Sequence, residues 1–144
     1  MTVNVPAGAQ NETVVIFRNR VRRGFVKLCK AVTAGSQDAL GSKTFTMSYS
    51  YVLGRPISAV VAVRPGECSL PSEPIPVIDA NGNPALISID ETAGPGFVVD
   101  NVHVQGAAGP FQTIGCPTAT PFGCFPLGAG TNVVTFTNRS TGLP

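Results

Sequence analysis

The sequence predicts an all-β fold, an antiparallel β-sandwich of about seven to nine strands. Apolar and polar residues alternate in several short runs, the clearest being KTFTMSYSYV at 43–52. This period of two is typical of strands with one buried face. The chain has 144 residues, and its 16 glycines and 13 prolines interrupt the windows in which a helical period could develop. We therefore expect short strands separated by turns, in one domain large enough to bury a core.

Each strand is predicted from an alternating or β-branched run that ends at turn residues. The predicted strands 74–79 and 85–91 lie on either side of Asn81-Gly82, a dipeptide that favours a β-hairpin. The loop Asp79–Asn83 also resembles the start of a calcium loop, but Pro84 stands where such a loop needs glycine, so we expect a turn. A long loop is expected between Gly106 and Gly130. The predicted strands cover 13–19, 24–30, 43–52, 57–63, 74–79, 85–91, 97–104 and 132–138.

One strand sequence occurs twice in the chain. Residues 5–20 read VPAGAQNETVVIFRNR and residues 125–139 read FPLGAGTNVVTFTNR. A period that nearly fills the chain indicates one repeat unit preceded by the closing strand of another. We therefore divide the chain into an N-terminal strand, 1–23, and a sandwich domain, 24–144. The N-terminal strand could pair with its own sandwich or insert into a neighbouring copy as a donor strand. Its candidate self-assembly residues are Thr13, Val15, Phe17 and Asn19.

Four cysteines allow three disulfide pairings. Cys116 and Cys124 enclose the seven-residue segment PTATPFG, which we interpret as a disulfide-closed loop. Cys29 would then pair with Cys68. Two disulfides indicate an oxidising compartment, so we expect a secreted or cell-surface protein.

Composition argues against several classes of function. Charged residues make up 12% of the chain and the net charge is +2, too weak a field to indicate a nucleic-acid partner. No apolar run is long enough to span a membrane, and the start, MTVNVPAG, has no signal-peptide pattern. His103 is the only histidine and no C-x-x-C occurs, so we expect no metal or cofactor. Neither a nucleophile elbow nor a paired-carboxylate pattern is present, and we expect no enzyme.

The segment Glu91–Phe97, ETAGPGF, resembles the E-T-x-A-P-x-G-Y signature of collagen-adhesin B-type domains, the prealbumin-like repeats of Gram-positive, particularly actinobacterial, surface proteins. Gly94 stands in place of the usual alanine and Phe97 in place of tyrosine. The run 24–30, GFVKLCK, is similar to the opening strand of that family, and 134–138, VTFTN, to its closing strand. The resemblance brackets residues 24–138 and implies a prealbumin-like, immunoglobulin-like sandwich.

The resemblance also implies a possible covalent cross-link. In some members a lysine of the first strand attacks an asparagine of the last strand, with an acid from the E-T motif moving the protons. By position these residues are Lys30, Asn138 and Glu91. Burial would keep the amine neutral and the acid protonated, which the reaction requires. The alternative is that Lys30 extends to water at a strand end, Asn138 caps a turn and Glu91 is a loop carboxylate.

We therefore expect a structural module that forms a stalk, fibre or filament by tandem repetition or donor-strand assembly. The expected partner is the chain itself. The alternative is an adhesin or carbohydrate-binding module, which would recognise a host protein, a matrix protein or a glycan. Such sites usually expose aromatic rings, and the candidates near the second cysteine pair are Phe111, Phe122 and Phe125.

Overall fold

The computed structural model describes residues 14–17, 22–118 and 122–142. Eight strands form two four-stranded sheets, which confirms the predicted β-sandwich. The first sheet has the order β4-β1-β8-β6 and the second β3-β2-β5-β7. The strands are β1 (Arg23–Val32), β2 (Phe45–Val52), β3 (Pro56–Val63), β4 (Ile75–Pro76), β5 (Leu86–Glu91), β6 (Phe97–Gln105), β7 (Gly123–Pro126) and β8 (Gly130–Ser140).

The first and last strands are neighbours in the same sheet. β1 and β8 pair in parallel over nine positions, from Gly24 opposite Gly130 to Val32 opposite Asn138. All other strand pairs are antiparallel. β8 also pairs with β6 on its other edge, so the closing strand lies inside its sheet rather than at an edge.

The core fills the space between the two sheets. Alternate residues of each strand point inward, as the period of two predicts. Phe136, Val134 and Leu28 come from the first sheet, and Met47 and Ile89 from the second. Burial of these aliphatic and aromatic side chains is the main stabilising term of the sandwich.

The structure differs from the sequence prediction in the connections. The segments before and after Asn81-Gly82 do not form a hairpin, because β4 and β5 belong to different sheets and only an isolated bridge joins Ile78 to Pro84. The Asp79 carboxylate accepts hydrogen bonds from the backbone N–H groups of Asn81 and Asn83, both at 2.9 Å, and so closes the turn on itself.

Three short elements were not predicted. A 3-10 turn (Ala34–Ser36) leads into a single helical turn, α1 (Gln37–Leu40), which is too short to show a helical period. β7 lies within the region expected to be a loop and pairs with β5 at the edge of the second sheet. No helix in the described ranges is long and apolar enough to cross a membrane.

Asn132, at the start of β8, is a fully buried polar residue that ties the turn before β8 to β1. Its side-chain oxygen accepts the N–H of Gly128 at 2.9 Å. Its amide nitrogen donates to the carbonyl oxygens of Phe25, Gly128 and Gly130 at 2.8–3.2 Å. A buried side chain that bonds four backbone groups, two of them from the buried Gly128, fixes where β8 begins beside β1.

We expect Asn132→Ala to lower the free energy of unfolding by about 2–4 kcal/mol, because it removes the side chain that bonds both backbone polar groups of the buried Gly128. Urea denaturation followed by circular dichroism measures the loss. Asn101→Ala, at an exposed position of β6, is the control and should stay close to the parent protein. Equal stability of the two variants would show that Asn132 does not hold this turn.

Candidate functional site

Lys30, Glu91 and Asn138 meet in the core between the two sheets. Lys30 lies on β1 and Asn138 on the neighbouring strand β8, while Glu91 is the last residue of β5 in the opposite sheet. Alternation explains the placement, because Lys30 shares the inward face of β1 with Val26 and Leu28. The three residues are 2%, 5% and 0% exposed, respectively. None of the three extends to water, caps a turn or lies in an exposed loop.

The Glu91 carboxylate contacts both of the other side chains. Lys30 Nζ donates a hydrogen bond to Glu91 Oε1 and forms a buried ion pair with it. Asn138 Nδ2 donates to Glu91 Oε2 at 2.7 Å. One carboxyl group therefore holds an amine and an amide side by side, each on its own oxygen.

Burial changes the chemistry of the lysine. Desolvation lowers the pKa of Lys30 below its ordinary value of 10.5, although the hydrogen bond and charge of Glu91 act in the opposite direction. Nζ lies 4.3 Å from the centre of the Phe45 ring and 5.9 Å from that of Phe136. These rings shield the amine from water, which favours its neutral form, while their faces also attract the charged form.

Asn138 Oδ1 is buried and has no hydrogen-bond partner among the described residues. The carbonyl group of an amide is the electrophile in acyl transfer, and it reacts faster when a proton donor polarises it. Rotation of the amide by half a turn would exchange its oxygen and nitrogen. Oδ1 would then face Glu91 Oε2, which can donate a hydrogen bond only when the carboxyl group is protonated.

The site brings an amine, a carboxyl group and an amide into hydrogen-bonding contact in the core. Transfer of the lysine proton to Glu91 would convert the buried ion pair into two neutral groups. The product contains a neutral amine, the nucleophilic form, and a protonated acid beside an amide. These are the groups that transfer of an acyl group from Asn138 to Lys30 requires.

Both predicted disulfides are present. Cys29 bonds to Cys68 and Cys116 to Cys124, and no described cysteine is free. Cys29 directly precedes Lys30 on β1 and points to the opposite face of the sheet. The first disulfide thus anchors the strand that carries the buried lysine.

The N-terminal strand is only partly within the described residues. Thr13 and Asn19 lie outside them, and residues 14–17 are not in a strand. Val15 is 38% exposed and Phe17 is 69% exposed, so the described part is an apolar segment largely in contact with solvent. Extra pairing on the chain's own sandwich does not occur at these four residues.

The aromatic residues expected to form a binding platform are not available for one. Phe125 is fully buried in the core, because β7 pairs with β5 and its side chain points between the sheets. Phe111 and Phe122 are half-buried and pack against the core, and the Phe122 ring meets Phe136 edge to face. These three residues therefore do not give the alternative, an adhesin or carbohydrate-binding module, an exposed aromatic surface. In the described residues, no group of three or more histidine, cysteine or acidic side chains could hold a metal ion.

The sequence did not identify the residues that surround the site. Phe45 belongs to the alternating run 43–52, yet nothing in its spacing linked it to a lysine on another strand. A largely apolar cavity of about 310 Å³ also adjoins Glu91 and is lined by Ala93, Phe97, Val98, Val99 and Phe122. Contacts of this kind form between distant parts of the chain, so no local pattern encodes them.

No family model matches the chain, and no curated protein matches it. A solved structure with a similar fold is the major pilin protein from Streptococcus pyogenes, at a TM-score of 0.43 and 10% sequence identity. The match covers 83% of this chain and 45% of the pilin chain, so this chain spans less than half the length of the pilin. This level of similarity assigns no function.

The lowered pKa of Lys30 predicts how stability depends on pH. In Asn138→Ala, which has no amide to attack, the free energy of unfolding should rise as the pH increases towards 10.5. The reason is that unfolded Lys30 still binds a proton that folded Lys30 has released, and the slope cannot exceed about 1.4 kcal/mol per pH unit.

The control is Lys30→Met/Asn138→Ala, studied by urea denaturation over the same pH range. The raised pKa values of Tyr49 and Tyr51 act in the opposite direction in both variants and cancel in the comparison. Parallel pH curves for the two variants would show that Lys30 keeps its ordinary proton affinity in the fold.

Proposed function

We propose that this chain is a structural module of an extracellular stalk or fibre, reinforced by an isopeptide bond between Lys30 and Asn138. The observation that carries the proposal is the buried contact of Glu91 with both Lys30 and Asn138. A buried amine paired with a buried carboxylate costs stability, because both groups lose their hydration. Formation of an amide removes the charge altogether and so removes that cost.

The reaction begins with transfer of a proton from Lys30 Nζ to Glu91. The neutral amine attacks Asn138 Cγ, while the protonated carboxyl group polarises the amide oxygen. The tetrahedral intermediate then passes an Nζ proton, through Glu91, to the departing nitrogen. The Nζ–Cγ bond forms, the Cγ–Nδ2 bond breaks and ammonia leaves. Glu91 ends protonated, because it keeps the other proton that Lys30 has given up, and so no charge remains among the three groups. The cavity beside Glu91 gives the ammonia a place to go.

The position of the bond suits a load-bearing role. Force applied to the chain ends enters at the start of β1 and at the end of β8, two parallel neighbours. Such force shears the two strands past each other and loads their hydrogen bonds together. A bond from Lys30 to Asn138 would carry the load across the sheet, so that residues 31–137 could not be extended.

The disulfides fit the same role. Each closes a loop and restricts the unfolded chain, and together they indicate an oxidising compartment, which supports secretion or display at a cell surface. The cross-linking residues and the disulfides form no constellation for turnover of an external substrate.

Self-association supplies the second part of the proposal. The exposed segment 14–17, VVIF, belongs to the repeated strand that matches β8, and it would add to the sandwich of a second copy. In the structure, β8 already occupies the place beside β1, so a donor strand must use another edge. The longest edges without a neighbouring strand in the described residues are those of β3 and β6. Pairing there would cover the apolar segment of one copy with the sheet of the next.

The cross-link predicts a mass lower by one ammonia than the sequence requires with both disulfides formed. Intact mass spectrometry of the purified protein measures this difference, and fragmentation should join the Lys30 and Asn138 peptides. Glu91→Gln and Lys30→Met should keep the full mass, because the first lacks the proton carrier and the second the nucleophile. Asn138→Asp should lose water instead of ammonia.

Lys27→Met is the matched control, since Lys27 lies on β1 three residues earlier and is only half-buried. It should lose ammonia as the parent protein does. An unmodified mass for the parent protein would refute the isopeptide bond, whatever the variants do.

Self-association predicts filaments that depend on the N-terminal segment. Deletion of residues 1–20 should abolish them, and Phe17→Asp should reduce them strongly, because a charge on the apolar segment opposes its burial in a neighbour. Electron microscopy and sedimentation velocity measure assembly. Ile114→Asp changes an equally exposed apolar residue elsewhere and should leave assembly intact. Filaments that survive the deletion would rule out this segment as the donor.

A further inference from the structure

The edge of β1 that faces away from β8 is covered by an irregular segment, residues 66–72, rather than by a full strand. β4 pairs with β1 only at Arg23 and Gly24. Beyond that point, the N–H groups of Val26 and Leu28 donate to the hydroxyl oxygens of Ser72 and Ser69, at 2.8 and 3.0 Å. The N–H groups of the same two serines donate back to the carbonyl oxygens of Val26 and Leu28.

Lys30 is held by the same segment. Its backbone N–H donates to the carbonyl oxygen of Glu67 at 3.0 Å, and its carbonyl oxygen accepts the N–H of Gly66 at 2.8 Å. Gly66 has a φ of 86°, a left-handed conformation that turns the chain back along β1. Both backbone polar groups of the lysine that carries the amine are therefore bonded to residues 66 and 67.

The covering segment contributes little apolar burial of its own. Glu67, Cys68 and Pro71 are exposed, and Leu70 is 88% exposed. Hydrogen bonds at an exposed edge open readily when no packing supports them. The Cys29–Cys68 disulfide is the one covalent link between the segment and β1, and it lies one residue from Lys30 and from Glu67.

We propose that the Cys29–Cys68 disulfide is a positioning device for the cross-link, so that Lys30 reacts with Asn138 only after this disulfide has formed. The proposal rests on the proposed isopeptide bond. With the thiols reduced, the segment 66–72 separates from β1, water reaches the strand edge and the amine loses its fixed place against Glu91. With the disulfide formed, β1 is held at both edges, because the segment bonds the backbone of Lys30 and β8 pairs with the strand along its other edge.

The two covalent steps are chemically separate. Disulfide formation passes two electrons and two protons from the thiols to a disulfide oxidant, such as oxidised glutathione. The cross-link then forms the Nζ–Cγ bond and releases ammonia, with no change of oxidation state. The order ties the permanent bond to arrival in an oxidising compartment, because a chain kept reduced would remain free of it.

The test starts from a freshly made sample of the full chain that is reduced and unfolded. During refolding, mass spectrometry follows the protection of cysteines from alkylation and the loss of ammonia. Oxidised glutathione starts the reaction, and samples taken over time are alkylated and weighed intact. Peptide mapping identifies the oxidised pair in each species. We expect loss of ammonia only in molecules whose Cys29 and Cys68 escape alkylation. Molecules that lose ammonia while Cys29 and Cys68 are alkylated would overturn the proposal, and this readout needs no variant.

Two variants sharpen the test. Cys29→Ala/Cys68→Ala should lose ammonia at least about tenfold more slowly than the parent protein, since a small displacement of a reacting group is costly in rate. The pH midpoint of its reaction rate should also move upwards, because Lys30 is better hydrated without the covering segment. A purely structural defect would lower the folded fraction without moving that midpoint. An unchanged midpoint would therefore count against the proposal. Cys116→Ala/Cys124→Ala removes the disulfide at β7 instead and should react like the parent protein.

The outcomes separate the two hypotheses. If the oxidised parent protein never loses ammonia, the isopeptide bond and the positioning role both fall. If the parent protein and Cys29→Ala/Cys68→Ala lose ammonia at equal rates, the isopeptide bond stands and the positioning role is refuted.

Discussion

The contact of one buried carboxyl group with an amine and an amide constrains the rest of this sandwich. Glu91 reaches Lys30 and Asn138 from the opposite sheet, so the two sheets must lie at the distance that this contact sets. A charge at this depth would cost several kcal/mol without its partner. The aromatic rings of Phe45 and Phe136 deepen the burial and exclude water. Stability and the reactivity that we propose for this site therefore depend on the same three side chains.

The parallel pairing of β1 and β8 underlies the load-bearing role that we propose for this contact. It places the two ends of the domain on adjacent strands, where pulling becomes shear, and it places Lys30 and Asn138 on neighbouring backbones. Asn132 fixes the start of β8 from within the core. The segment 66–72 closes the other edge of β1, through backbone hydrogen bonds, serine hydroxyl groups and a disulfide. Polar contacts at both edges thus hold the strand that carries the lysine.

Much of the sandwich could be predicted, because local alternation of apolar and polar residues indicates its strands. The runs 43–52, 57–63 and 24–30 predicted β2, β3 and β1. The connections were harder, because Asn81-Gly82 favours a tight turn whichever sheet the next strand joins. β7 was missed for a related reason: GCFP is too short to show a period, and its pairing with β5 defines it. The burial of Phe125, one of the rings considered for a binding module, could not be predicted for the same reason.

The sequence by itself determined the fold class, the strand faces and the residue types needed for a cross-link, since each follows from a spacing of a few positions. It also contained the repeated strand, whose role in assembly remains a proposal. Only the tertiary structure decided that Lys30, Glu91 and Asn138 share one pocket, because their separations of 61 and 47 residues are closed by packing of the two sheets. It alone decided that β1 and β8 run in parallel and that Cys68 lies against Lys30's strand. These arrangements form because apolar surface must be buried while the buried backbone groups keep their hydrogen bonds. No short stretch of sequence can specify both conditions.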